Sequence, residues 1–400
     1  MLYRIPGKEA TCLEEGILES WKCALCSKLF LDENGTMETT EEGLVILSAG
    51  GHSPGEPIKE NENIIIGSYE SVVYCTACGA ELSRETKEAL LNPFNALSMS
   101  VGSSLETILE VRPATLPEGE NYYALVTKYH PDGTVSETII GKDEWQGGST
   151  KKRIIFKNIS AKEMATRITT VICNEAGEVI TEAYEMTVRD YIMGKVNETY
   201  QSLQADPNNE ANVKFMTMLV DMLNYGAVAQ SRFDYNVNDP ANAALTAEHL
   251  QYASTDVSVT NNQRYEGCFV ESTLSAGSKI DMNFFFARSV LGTDKSVLRA
   301  EVSFKRFNGT EVSYEIPSDA IKRSGSNWVV IVNQLNMPDG YNDVTVKIYK
   351  GDELMATVTD QVTGYLARGL EADPTNAMFI ATAKLVKSSC DYFTFRVNNQ

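Results

Sequence analysis

The chain has 400 residues, 43% of them apolar and 22% charged, so it is long enough for two or three globular domains with separate cores. Its 54 acidic residues outnumber its 35 lysines and arginines, which gives a net charge of −19. Such an excess repels phosphate backbones and anionic lipids, which excludes nucleic acid as an expected partner. No apolar run approaches the roughly 18 residues that span a bilayer, so we expect no direct membrane insertion in this region.

Cysteines are concentrated near the beginning of the chain, where residues 1–91 hold five of the eight. Two Cys-x2-Cys pairs are present, and each can place two thiolates on one tight turn, which suits tetrahedral zinc. We therefore predict a zinc-ribbon-like segment over residues 1–91. Its structural zinc ion would be held by Cys23, Cys26, Cys75 and Cys78.

Cys12 and His52 are reserve ligands for this site. Together with Cys23 and Cys26 they would supply three thiolates and one imidazole, which would leave the Cys75 and Cys78 pair incompletely coordinated. Two other interpretations remain open. The thiols form disulfides if the setting is extracellular, or they have a redox role or no special role.

The rest of the chain holds two copies of one module, which we place at residues 92–236 and 253–400 with a linker at 237–252. Residues 171–192 align on 345–366 without a gap, so that Tyr191 falls on Tyr365. No polar constellation is kept at matched positions, which indicates that a fold is repeated and not a catalytic site.

Each copy begins with the two-residue alternation of half-buried strands, for example Y-Y-A-L-V-T-K-Y in copy 1 and D-M-N-F-F-F-A-R in copy 2. Turn signals follow at Pro131-Asp132-Gly133 and Asn308-Gly309. Six or seven short strands in about 90 residues are typical of an immunoglobulin-like β-sandwich.

A helical period follows the last strand of each copy. In copy 1, Val188, Ile192, Val196 and Leu203 mark a first helix, and a second is marked by residues 213–227. In copy 2 the same period predicts helices at about 362–371 and 376–393. The predicted fold class is therefore α+β and mainly β, with two tandem sandwiches that each end in a helical hairpin.

Several motifs resemble tandem Cys-rich repeats in large surface and secreted proteins of clostridial gut bacteria: G-H-S-P-G-E-P at 51–57, A-T-C-L-E-E-G, W-K-C-A-L-C-S-K-L-F and V-V-Y-C-T-A-C-G-A-E-L-S-R. The helical tails, with M-L-V-D-M-L-N-Y-G-A-V-A-Q at 218–230 and Y-L-A-R-G-L in copy 2, are similar to paired β-plus-helix modules of such proteins. In these repeats a cysteine usually stands where this chain has Asn63.

The resemblance implies an extracellular or cell wall-associated protein whose activity, if any, lies outside this region. Its partners would be other surface proteins or polysaccharide. The start of the chain lacks the plan of a signal peptide, and we interpret it as a cut inside a repeat of a longer protein.

Catalytic signals are few, since the three histidines, His52, His130 and His249, stand in no recognisable nucleophile context. We expect His130 and His249 to be exposed. Trp145, in the polar stretch K-D-E-W-Q-G-G, is expected in an exposed loop and is the candidate for glycan contact, whereas Trp328 is expected in the core. We therefore predict a non-enzymatic structural or adhesive region with a structural metal site, and the alternative is a carbohydrate-binding module attached to a glycan-active enzyme.

Overall fold

The computed structural model of the chain describes residues 1–46, 50–63, 68–88, 90–101, 105–117, 121–276 and 280–399. The chain divides into two compact units, Met1–Leu91 and Asn92–Gln400. Within the described part, none of the helices is both long and apolar enough to cross a bilayer.

The first unit consists of small antiparallel sheets joined by short turns. The first sheet has the order β1-β3-β4-β5, a two-stranded sheet pairs β2 with β6, and a third has the order β7-β8-β9. The strands are β1 (Leu2–Ile5), β2 (Gly16–Ile17), β3 (Ser20–Cys23), β4 (Leu29–Phe30), β5 (Glu38–Thr39), β6 (Val45–Ile46), β7 (Ile58–Asn63), β8 (Ser68–Tyr74) and β9 (Glu81–Glu88).

The second unit begins with a sandwich of two antiparallel sheets, ordered β10-β11-β15-β14 and β13-β12-β16-β17. Its strands are β10 (Phe94–Val101), β11 (Leu105–Val111), β12 (Tyr122–Tyr129), β13 (Val135–Gly141), β14 (Gln146–Gly147), β15 (Lys152–Ile159), β16 (Arg167–Asn174) and β17 (Tyr184–Met186). Two helices follow, α1 (Val188–Ala205) and α2 (Glu210–Arg232), and then a short helix, α3 (Ala247–Leu250).

Copy 2 repeats this order with one more strand at the edge of one sheet. Its sheets are ordered β19-β20-β24-β23 and β18-β26-β25-β21-β22. The elements are β18 (Arg264–Gly267), β19 (Phe269–Ala276), β20 (Ile280–Ala287), α4 (Arg288–Leu291), β21 (Leu298–Lys305), β22 (Glu311–Ile316), β23 (Lys322–Ser324), β24 (Asn327–Val332), β25 (Val344–Lys350), β26 (Glu353–Asp360), α5 (Val362–Ala372) and α6 (Ala377–Asn398).

Alternation along the strands builds the sandwich cores. Every second residue of β20 is buried, and Met282, Phe284 and Phe286 have no exposed surface. The inward residues Ala124 and Val126 of β12 are buried in the same way. The prediction of a mainly β, α+β chain with tandem sandwiches and helical hairpins is confirmed.

The repeated Asp-Pro-x-Asn motif ends one helix and begins the next in each copy. Asp206 and Asp373 are the C-cap residues of α1 and α5. The side chain of Asn209 then accepts a hydrogen bond from the Asn212 N–H at the start of α2, and Asn376 does the same for Phe379 in α6. Such caps satisfy N–H groups that have no partner inside the helix.

Helices α2 and α6 pack against each other and join the two copies within the second unit. The rings of Phe215 and Tyr392 stack at one end of this helix pair, with centroids 4.9 Å apart. The methionines of α2, Met216, Met218 and Met222, are at most 3% exposed. Core packing therefore explains the Met-rich stripe of this helix.

A similar polar cluster occurs in both copies, with its acid at matched positions and its cation at unmatched ones. Lys128, at the end of β12, lies 2.8 Å from the buried carboxylate of Glu163, which also accepts the Ser160 N–H. In copy 2, Arg306 lies 3.0 Å from the fully buried side chain of Asp339, which accepts the N–H of Asn336. Both clusters cap a short 3-10 turn, so their role is structural.

Candidate metal centre

Four side chains of the first unit converge on one point: Cys12, His52, Cys75 and Cys78. Their ligand atoms all lie within 4.8 Å of one another. The Sγ atoms of Cys12 and Cys75 are 3.7 Å apart, and the Sγ of Cys78 is 3.4 Å from Nδ1 of His52. The group therefore offers three thiolates and one imidazole.

These separations fit a tetrahedral zinc ion. With zinc–sulfur bonds of about 2.3 Å, two thiolates on a tetrahedron stand roughly 3.8 Å apart, and a thiolate and an imidazole nitrogen roughly 3.6 Å apart. Both observed distances are within a few tenths of an ångström of these values. Four such ligands would fill a tetrahedral coordination sphere and leave no position for a reactive water, as in structural zinc sites.

Cys75 and Cys78 lie on the tight turn between β8 and β9. The Cys75 N–H donates to the Ala80 carbonyl at 2.8 Å, and the Gly79 N–H donates to the Cys75 carbonyl at 2.9 Å. Gly79 has a φ of 71°, a left-handed conformation that glycine adopts without a Cβ penalty. The turn thereby presents both sulfurs on the same side.

Backbone hydrogen bonds bring the other two ligands to this turn. The Gly51 N–H donates to the Cys12 carbonyl at 3.0 Å, which places Cys12 beside the segment that carries His52. Ser53 in turn accepts the Thr76 N–H at 2.9 Å, which holds that segment against the cysteine turn. The site therefore ties together three stretches of chain that are distant in sequence.

The protein environment shifts the pKa values of Cys75 and Cys12 in opposite directions. Burial opposes ionisation of Cys75, but the N–H groups of Cys78 and Ala77 and the His52 side chain outweigh it and lower its pKa. The pKa of Cys12 is raised, first by its hydrogen bond with Cys78 and then by burial and the bond with Cys75. A metal ion would have to displace the Cys12 proton. The affinity of the site for the metal should therefore decrease as the pH is lowered.

The assembled ligand set differs from the one predicted by spacing. The structure brings together Cys75, Cys78 and both reserve ligands, whereas Cys23 and Cys26 are not in the group. They lie on the turn between β3 and β4, in another sheet. No disulfide bond joins any two of the eight cysteines, all of which are within the described residues.

Trp145 is not exposed, contrary to the expectation for its polar neighbourhood. Its side chain is 5% exposed, and the indole N–H donates to the Ile140 carbonyl at 3.2 Å. The expected exposure of Trp145 is therefore wrong, and its ring is not displayed for stacking on a sugar. Trp328 is also 5% exposed, and its predicted place in the core is confirmed.

The two other histidines are held in packing contacts. His249 is 6% exposed, which corrects its expected exposure, and its ring meets the Tyr200 ring edge-on at 5.1 Å. His130 is half-buried, with Nδ1 3.0 Å from the Tyr235 hydroxyl and Nε2 2.6 Å from Ser136. Nδ1 of His130 thus meets a tyrosine hydroxyl, where a Ser-His-Asp triad has a carboxylate.

A cleft of about 340 Å³ in the helical layer contains a buried carboxyl group, that of Asp221. Burial raises the pKa of Asp221, although hydrogen bonds from Ser254 favour its charged form. Its two oxygens accept the Ser254 N–H at 3.0 Å and the Ser254 hydroxyl at 2.5 Å. The carboxylate is therefore already engaged in a structural contact with the segment after α3.

Comparisons with known proteins supply little further information. No family model matches the sequence, and no curated protein matches it. Among solved structures, the FN1–FN3 domains of chicken CNTN1 align with 88% of this chain and 93% of their own, at 9% identity and a TM-score of 0.15. A TM-score this low supports no statement about fold or function.

Proposed function

We propose that the chain is a non-catalytic structural or adhesive region of an extracellular or cell wall-associated bacterial protein, and that a structural zinc ion holds its first unit together. The observation that carries the proposal is the closed group of Cys12, His52, Cys75 and Cys78. Small sheets such as those of residues 1–91 bury little apolar surface, and a bound metal supplies the missing stability.

The non-catalytic role is supported by where the ionisable groups are engaged. His52 belongs to the metal group, while His130 and His249 are held by neighbouring side chains. Glu163, Asp221 and Asp339 are buried carboxyls, and each is bound by backbone or cationic partners. The duplicated sandwiches then act as spacers or contact surfaces, with other surface proteins or polysaccharide as partners.

Metal analysis of protein purified without added metal tests the proposal. We expect bound zinc that is lost when Cys12→Ser or Cys75→Ser is introduced, with affinity reduced by more than about 100-fold, because even loss of a second-shell partner costs about 10–100-fold. The Cys23→Ser/Cys26→Ser double variant is the matched control, and it keeps the zinc that depends on Cys12.

Two outcomes would contradict this assignment. If Cys23→Ser/Cys26→Ser removes the ion and Cys12→Ser does not, the ligands are the four cysteines that spacing predicted. If the protein holds less than about half an equivalent of zinc and has no free thiols without reductant, the cysteines are disulfide-bonded.

A further inference from the structure

The Cys23–Cys26 turn is built like the turn that carries Cys75 and Cys78. The Cys23 N–H donates to the Lys28 carbonyl at 2.9 Å, and the Ser27 N–H donates to the Cys23 carbonyl at 2.9 Å. The corresponding bonds of the other turn measure 2.8 and 2.9 Å. Ser27 even takes a left-handed φ of 60° in the position of Gly79, whose φ is 71°.

The first sulfur of each turn is surrounded in the same way. The N–H groups of Cys26 and Leu25 are directed at the Cys23 sulfur, as those of Cys78 and Ala77 are directed at the Cys75 sulfur. Backbone N–H groups directed at a thiolate support its role as a metal ligand. The Cys23–Cys26 turn therefore has the geometry of a metal-binding turn.

The ligand set at this turn is incomplete. Among the described residues, no histidine, carboxylate or further cysteine groups with Cys23 and Cys26, whereas tetrahedral zinc needs four ligands. The turn is also open to solvent, because Cys26 is exposed and the Leu25 side chain between the two cysteines is 90% exposed. A four-ligand site at this turn would need two ligands from outside the described residues.

Local charge favours a second set of thiolates here. Residues 20–31 contain Lys22 and Lys28 and no acidic residue, in a chain whose net charge is −19. Lys28 already pairs with Glu38 at 2.8 Å. Zinc with four thiolates carries two negative charges, which the two Lys22 side chains from two copies of this segment would balance. An identical turn related by a two-fold axis would supply the two missing sulfurs and would also cover the exposed Leu25.

We propose that the Cys23–Cys26 turn is half of a second zinc site, which a second copy of this chain completes with its own Cys23 and Cys26. One ion and four thiolates would then join two chains. This site is independent of the group around Cys12, which closes within one chain.

Sedimentation velocity of the full chain, with zinc titrated under reducing conditions, tests the proposal. We expect a dimer with about 1.5 zinc ions per chain, one from the closed site and half of a shared one, and a monomer after chelation. The Cys23→Ser/Cys26→Ser variant stays monomeric with about one ion per chain. A wild-type chain that stays monomeric at saturating zinc overturns the proposal, and so does dimerisation of this variant.

Cobalt substitution separates this proposal from the closed site. The ligand-field bands of Co²⁺ differ between four sulfurs and three sulfurs with one nitrogen, so each site has its own signature. Cys12→Ser should remove the mixed signature and leave both the four-sulfur bands and the dimer. If four-sulfur bands are absent from wild-type protein while the mixed bands are present, the shared site is disproved and the closed site stands.

Discussion

Glu163 and Lys128 illustrate how a buried charge is retained in the sandwich. Their side chains are 9% and 12% exposed, and they lie 2.8 Å apart. Burial opposes ionisation of Glu163, but the Lys128 ammonium and the Ser160 N–H and hydroxyl outweigh it, so its pKa is lowered. The folded state therefore favours the carboxylate over the neutral acid.

Replacing the Glu163 carboxyl should make the free energy of unfolding less dependent on pH in the acid range. At pH 7 we expect Glu163→Gln to lower the free energy of unfolding by about 2 kcal/mol, because Lys128 loses a charged hydrogen-bond partner. A lowered folded pKa gives stability that is present above the unfolded value of about 4.3 and is lost as the pH falls through the folded pKa. The difference between variant and wild type should therefore shrink below about pH 4.

Urea denaturation at pH 7 and at acid pH measures both effects. Glu185→Gln is the control, because Glu185 pairs with Arg167 at the surface and should contribute less than about 1 kcal/mol. Equal effects of the two substitutions at pH 7 would show that the Glu163 cluster is not a buried structural pair.

The sequence predicted which residue types would bind the metal better than it predicted which residues come together. Cys-x2-Cys spacing identifies turns such as Cys75–Cys78, because both ligands come from one local segment. It cannot show that Cys12, 63 residues away, lies 3.7 Å from Cys75. Trp145 was misplaced for a related reason: its neighbours in sequence are polar, whereas its neighbours in space are the sandwich core.

Helix α2 shows how tightly the body of the protein is packed. A Cβ added to Gly226 would stand 2.6 Å from Sδ of Met164 and 2.9 Å from Cβ of Ala241. The segment that follows α2 is also fixed to it, because Gln230 is fully buried and its side chain accepts the Ala241 N–H at 2.6 Å. Residues predicted to form a linker are thus packed against the helix.

Alanine substitution of two helical glycines should have opposite effects. We expect Gly226→Ala to destabilise the second unit by about 1–3 kcal/mol, because the new methyl group overpacks a filled contact. Gly194→Ala in α1 has open space around it and should stabilise by up to about 1 kcal/mol through helix propensity. Thermal denaturation of both variants measures this, and a stabilising Gly226→Ala would mean that α2 is loosely packed.

Helices and strands were the most predictable features of this chain. The stripe of Val188, Ile192, Val196 and Leu203 in α1 is at most 2% exposed, as its period required. Helix α2 carries buried residues on more than one face, including Asp221 and Gln230. Periodicity cannot identify such contacts, because they depend on which helix of the other copy packs against α2.

The two units of the molecule should respond differently to metal removal. In the first unit, the metal group links a loop before β2 to the turn after β8, so chelation removes a cross-link from small sheets. The second unit has its own sandwich cores and the α2 and α6 contact. We expect calorimetry of zinc-loaded protein to show two transitions, of which a chelator lowers only that of residues 1–91.

The assignment of those transitions can be checked with Gly226→Ala. This substitution should lower the temperature of the chelator-insensitive transition and leave the other unchanged. If a chelator shifts both transitions equally, the metal does not act on the first unit alone.

A zinc ion that cross-links Cys12 and Cys75 would also determine how the chain responds to a pulling force. The two cysteines are separated by 63 residues, which could extend to about 200 Å if the sheets between them opened. Bound zinc would prevent these 63 residues from extending under a stretching force, and loss of the metal would allow them to extend. In a protein anchored at a surface, zinc supply would thus set how far the attached modules can reach under tension.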